Sequence, residues 1–229
     1  MRGREIELLI LDDAEAAAAA TAERLAEAAR AGTEIALTGG STPRRAYELA
    51  AQAEPDWSRA GAWWGDERCV PPDEERSNYR LAREALLDRL DALPAVHRIR
   101  GELDPSEAAE EYERELGDTR LDLVLLGLGP DGHVASLFPQ APTLRERERR
   151  VVAAEPGLEP FVPRVTMTIP TLSAAPVVLF LVTGAEKSKA VRAAFVDDPS
   201  ERTPASLVRA VGGLTLAILD RAAASSIEK

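Results

Sequence analysis

EIALTGGSTPRRAYELA, residues 34–50, decides how the rest of the chain is read. An apolar run, Glu34–Leu37, enters Thr38-Gly39-Gly40-Ser41-Thr42, and Pro43 then opens a stretch with helical spacing through Ala53. Proline suits a first helical position because its missing N–H would have no partner there, which makes Thr42 the expected N-cap. The two glycines let successive N–H groups turn toward one point. A helix N-terminus with free N–H groups and nearby hydroxyls is suited to an anion, by geometry and by dipole. A tight strand-to-helix turn with a capping threonine is the plainer reading and stays open on these residues alone. No Walker lysine follows, so a nucleotide triphosphate is not expected.

The same strand-then-helix alternation runs along the chain. Strands are expected at Ile6–Leu11, Ala62–Gly65, Leu121–Leu126, Val151–Ala154, Val165–Thr168, Val177–Val182 and Leu214–Leu219. Helices are expected at Ala14–Arg30 (capped by Asp12 or Asp13), Asn78–Leu90 (capped by Ser77), Ser106–Leu116, Glu186–Phe195 and Pro204–Val211. Such alternation predicts a parallel sheet with helices on both faces, as one domain over residues 1–229. The segment Gln140–Arg150, with its charged run LRERERR, reads as an exposed loop or short helix, not as a linker.

Composition narrows the partners. The chain has 229 residues, 45% of them hydrophobic, and a formal net charge of -11. That charge argues against a broad nucleic-acid or anionic-membrane surface, because both need clustered lysine and arginine. It leaves room for one small anion, which a few cations and backbone N–H groups can hold. Cys69 stands alone, so neither an internal disulfide nor a cysteine zinc cluster is expected. Ile6–Leu11 is too short for a signal-peptide core and runs straight into Asp12-Asp13. A soluble cytoplasmic protein is expected.

Two more loops sit at expected strand ends, where open parallel sheets bind ligands. In the first, Asp66, Glu67 and Arg68 precede Pro71-Pro72. A carboxylate beside a guanidinium can hold a polyol, though a surface ion pair is equally compatible with the pattern. The second is LVLLGLGPDGHVASLF, residues 123–138, which fits G-x-G-x-x-G letter for letter. A dinucleotide loop should open a long helix, but Pro130, Pro139 and Pro142 leave space for a turn or two at most. The loop is therefore read as one that presents His133. Asp131, two residues earlier, is placed to orient the ring or hold its charge, as a general base requires. His97 reads as a packed or solvated residue. Arg164, before a strand, and Lys187, at a helix start after Thr183-Gly184, complete the inventory. A lysine there opposes the helix dipole, a penalty that a bound anion would offset.

Taken in order, TGGSTP, DERCVP, SNY, GLGPDGHVASLFP, PRVTMT and TGAEKSKA make nearly the whole chain resemble the glucosamine-6-phosphate deaminase/6-phosphogluconolactonase family. The resemblance implies a three-layer α/β/α sandwich with a Rossmann-like, mostly parallel sheet. It also implies hydrolysis of 6-phospho-D-glucono-1,5-lactone to 6-phospho-D-gluconate in the oxidative pentose phosphate pathway, with no cofactor and no metal. By the same resemblance Gly40, Ser41 and Thr42 hold the phosphate, with Arg164 and Lys187 as counter-charges. Asp66 and Arg68 line the sugar end, and His133 takes the proton of the attacking water; the chemistry of that step, not the resemblance, suggests Arg68 or loop N–H groups for the oxyanion and Asp131 for orienting His133. The deaminase branch is the nearest alternative. Its members carry a glutamate shortly after the histidine, where Phe138 stands here and cannot exchange a proton. A non-catalytic sugar-phosphate sensor is a second alternative, but such a protein would usually need an output module, for which the chain has no room. The expected partner is the small lactone alone, with no nucleic acid and no membrane, and the expected state is a monomer.

Overall fold

A computed structural model describes residues 6–157 and 161–227. Strand β1 (Ile6–Leu11) leads into α1 (Ala14–Ala31), whose N-cap Asp13 accepts the Ala16 N–H at 2.8 Å. Next come β2 (Glu34–Leu37), α2 (Pro43–Ala53), β3 (Gly61–Trp64), β4 (Asp66–Arg68), α3 (Asn78–Ala85), β5 (Ala95–Val96) and α4 (Pro105–Leu116). The second half holds β6 (Leu123–Leu126), β7 (Val151–Ala154), β8 (Arg164–Met167), α5 (Ile169–Ser173), β9 (Val177–Val182), α6 (Ser188–Phe195), β10 (Leu214–Asp220) and α7 (Arg221–Ala224).

Seven strands form one parallel sheet in the order β1-β10-β9-β6-β2-β3-β5. From β2 the chain steps outward to β3 and β5. It then returns to the other side of β2 as β6 and steps outward again through β9 and β10. The reversal lies between β2 and β6, and in open α/β sheets a crevice forms at the carboxyl ends of such a pair. All four β6 residues are buried, as expected of a strand covered on both faces. The expected α/β architecture with a mostly parallel sheet is the one observed.

Several elements depart from the sequence reading. Val151–Ala154 and the strand expected at Val165–Thr168 do not join the parallel sheet; β7 and β8 form an antiparallel ladder with β4. Only residues 155–163 separate β7 from β8, short of the roughly dozen that a parallel crossover takes. The helix expected over Pro204–Val211 is one 3-10 turn, Pro204–Leu207. Its Ser206 hydroxyl donates to the Thr203 carbonyl at 2.6 Å, a local bond that competes with helix continuation. The helix expected over Asn78–Leu90 ends at Ala85, followed by a 3-10 turn at Leu87–Arg89. Ser77 does cap it, accepting the Arg80 N–H at 3.1 Å.

Tyr47 fixes the exit of β2. It reaches from α2 with its side chain fully buried, and its hydroxyl accepts the Thr38 N–H at 2.9 Å and donates to the Thr38 carbonyl at 2.7 Å. Tyr47→Phe strips both backbone groups of their partner, which should cost about 1–3 kcal/mol. Urea unfolding checks this; an unchanged midpoint would mean that the hydroxyl does not hold the loop.

Candidate active site

The loop after β2 is open backbone. Gly40 has φ +89, a left-handed conformation that favours glycine, and no atom lies within 4 Å of where its Cβ would stand. Gly39 is glycine for space, since a Cβ there would fall 1.7 Å from Asn78 Oδ1. Among the described residues, the N–H groups of Gly39, Gly40, Ser41 and Thr42 have no acceptor. Thr42 occupies the N-cap position of α2, but its backbone is helical (φ -60, ψ -45) and its side chain makes no capping bond. The expected cap is therefore absent, because a capping side chain needs an extended backbone to reach the N–H groups ahead of it.

Strand β4 carries the second wall. Side chains alternate along it, so Asp66 and Arg68 line the cleft while Glu67 points away. Asp66 is buried; its Oδ2 accepts the Ser136 hydroxyl at 2.6 Å and its Oδ1 accepts the Asn78 amide at 3.1 Å. Glu67 accepts from the Ser77 hydroxyl and from the N–H groups of Arg68, Asn78 and Tyr79, at 2.7–3.0 Å. Burial pushes its carboxyl up to about 7, against the pull of those donors. Across the β4–β8 ladder Arg68 stands directly opposite Arg164. Arg164 is buried, and the loss of solvent and the charge of Arg68 both lower its pKa, while Asp66 opposes them.

The third wall is the loop after β6. His133 Nδ1 lies 2.6 Å from Asp131 Oδ1, and the His133 N–H donates to the same oxygen at 3.1 Å. Burial raises the Asp131 pKa, but the hydrogen bonds and charge of His133 outweigh it and leave it below the ordinary value. An ionised Asp131 can only accept, so Nδ1 is the donor, and in the neutral imidazole the lone pair then lies on Nε2. The imidazole also packs on the Phe138 ring, 5.1 Å between centroids, and the Arg164 guanidinium lies 5.6 Å from the same ring. Ala135, two residues beyond His133, holds a left-handed φ of 49.

Lys187 ends the 3-10 turn Ala185–Lys187 and precedes α6, which starts two residues later than expected. Burial lowers its pKa, and Glu186 and Asp131 oppose that shift.

These walls enclose a cleft of about 260 Å³ at the β2–β6 reversal. Gly40, Ser41, Thr42 and Asp66 line it, and so do Arg68, His133, Arg164 and Lys187. Asp131 does not line it; it stands behind His133. Asn78 lines the cleft as well, and Ser136 and Phe138 sit behind it. Sequence reasoning quoted the stretches that hold Asn78 and Ser136 without giving either a place in the site, and it used Phe138 only to set the deaminase branch aside. Among the described residues no group of three or more His, Cys, Asp or Glu could hold a metal ion, and no helix is long and apolar enough to cross a membrane. His97, set aside in the sequence, stacks on Trp63 at 4.0 Å and bonds Glu115, away from the cleft.

Residues 12–217 match the model of the family described as glucosamine-6-phosphate isomerases/6-phosphogluconolactonase. The chain belongs to this family. It is 40% identical to the human 6-phosphogluconolactonase, over 86% of this chain and 81% of that one. It is 38% identical to the 6-phosphogluconolactonase of a Synechocystis species, over 84% of each. The solved 6-phosphogluconolactonase of Trypanosoma cruzi superposes with a TM-score of 0.88 at 29% identity, covering 99% of this chain and 98% of that one.

Gly129 makes room for the His133–Asp131 pair: a Cβ there would lie 1.9 Å from His133 Nδ1 and 2.6 Å from Asp131 Oδ1. Gly129→Ala should break that hydrogen bond while the chain stays folded. Proton NMR reads the outcome, through loss of the downfield His133 Nδ1–H signal; a retained signal would show that the pair tolerates the methyl group.

Proposed function

We propose that the protein hydrolyses 6-phospho-D-glucono-1,5-lactone to 6-phospho-D-gluconate, the lactone-opening step of the oxidative pentose phosphate pathway. The observation that carries the reading is the His133–Asp131 pair at 2.6 Å, facing a cleft whose other end is an open N–H loop flanked by cations. The phosphate sits on Gly40, Ser41 and Thr42, with Arg164 and Lys187 as counter-charges, and the ring extends toward Asp66 and Arg68. A lactone carbonyl is already electrophilic, so activating the water is the main task. His133 Nε2 takes a proton from the water as its oxygen bonds C1, and the carbonyl electrons move onto the exocyclic oxygen. Arg68 or loop N–H groups stabilise that oxyanion. As the carbonyl re-forms and C1–O5 breaks, the imidazolium returns its proton to O5. Anchoring the phosphate away from C1 supplies positioning for this step.

Hydrolysis is favoured over deamination by Phe138. The position that would supply a ring-opening acid is an apolar ring packed between His133 and Arg164. All the residues named come from one chain, so a monomer suffices. A lone cysteine fits a reducing compartment such as the cytoplasm.

The test follows lactone made in situ, through coupled oxidation of the product, at about pH 6.5 where spontaneous opening is slower. Wild type should exceed the background, and His133→Ala should lose roughly 100- to 10,000-fold of the enzymatic rate. Wild type that only matches the background would overturn the hydrolytic reading. A fully active His133→Ala would remove His133 as the base.

A further inference from the structure

Asp220 ends β10 with its carboxylate buried and has no place in the mechanism above. Both its oxygens lie 3.1 Å from the Gly184 nitrogen and accept its N–H. Oδ1 also accepts the Ala223 N–H, at 2.7 Å, at the start of α7. Gly184 holds φ +100, and a Cβ there would lie 2.5 Å from Glu186 Oε2. From Gly184 the chain passes straight into the turn that ends at Lys187.

That turn is weakly packed. None of its three residues, Ala185–Lys187, is buried. A second cleft of about 420 Å³ undercuts it, with Thr183, Gly184 and Asp220 on one side and Ser41 and Thr42 on the other. The turn therefore stands between two clefts, tied at its base to the end of β10. We propose that Asp220 is a positioning residue that, through the Gly184 N–H, holds the turn so that Lys187 is presented to the cleft. The inference rests on the reading of Lys187 as the counter-charge of a phosphate. Asp220 touches no ligand itself. Loosening the turn makes ligand binding order it anew, a cost met equally in the ground and transition states, so KM rises while kcat holds.

Asp220→Asn keeps one acceptor oxygen and turns the other into a donor facing an N–H. We expect KM for the lactone to rise about tenfold with kcat within about twofold. The dissociation constant of inorganic phosphate, measured by calorimetry, should rise by a similar factor. Lys187→Ala should weaken phosphate binding in the same way, and Asp220→Asn added to it should do little more, because both act through one ammonium. Gly184→Ala attacks the same bond from its other end and serves if Asp220→Asn does not fold. Unchanged phosphate affinity in a folded variant would overturn the proposal, and so would full additivity with Lys187→Ala. A wild type that binds phosphate but opens no lactone would refute the proposed function while the phosphate series still decides the role of Asp220. A wild type that binds no phosphate would refute the premise about Lys187.

Discussion

Asp66 takes its carboxylate into the interior and shares it between two distant parts of the chain, the Ser136 hydroxyl beyond His133 and the Asn78 amide at the start of α3. Its neighbour Gly65 ties the two sheets together: the Gly65 N–H bonds the Leu37 carbonyl of β2, and the Gly65 carbonyl accepts the Met167 N–H of β8. The floor of the cleft and its walls thus meet at one point. Glu67, facing the other way on the same short strand, caps the first turn of α3 and so holds Asn78 in place. A buried carboxylate is costly unless its oxygens are hydrogen-bonded, and each of these two acids joins separate segments because each needs donors from them.

The charge pattern of the cleft opposes that of the whole chain. A protein with net charge -11 gathers Arg68, Arg164 and Lys187 around a small volume in which Asp66 and Glu186 are the facing acids. Long-range attraction of anions is therefore weak, and on the proposed reading selectivity for them is local, set by those three cations and the N–H groups after β2. The lowered pKa values of Arg164 and Lys187 have one origin: burial has withdrawn water from both cations.

Much of this was legible in the sequence because the deciding signals are local. Pro43 after Gly39-Gly40 marks a strand end and a helix start, and the prolines after Gly132 rule out a long helix. Strand period and helix period likewise place β1, β2, β9 and α2 with the bounds observed. What the sequence hides is tertiary. Ser136 meets Asp66 across 70 positions, and nothing near either residue announces the other. Phe138 reads as an apolar residue after a histidine loop, and only the fold brings Arg164 to its other side. The antiparallel sheet escaped notice because β4 has three residues and alternates toward a cleft that local pattern does not reveal. Thr42 was misread as a cap because residue type is a preference and backbone angle decides.

The placement of Arg68 opposite Arg164 bears on how firmly β4 is held to the small sheet. Like charges facing each other across a ladder weaken it, and here the weakened rung joins a three-residue strand to the small sheet. On the proposed reading, a phosphate held by Arg164 would offset part of that repulsion, so occupancy and strand pairing would be linked.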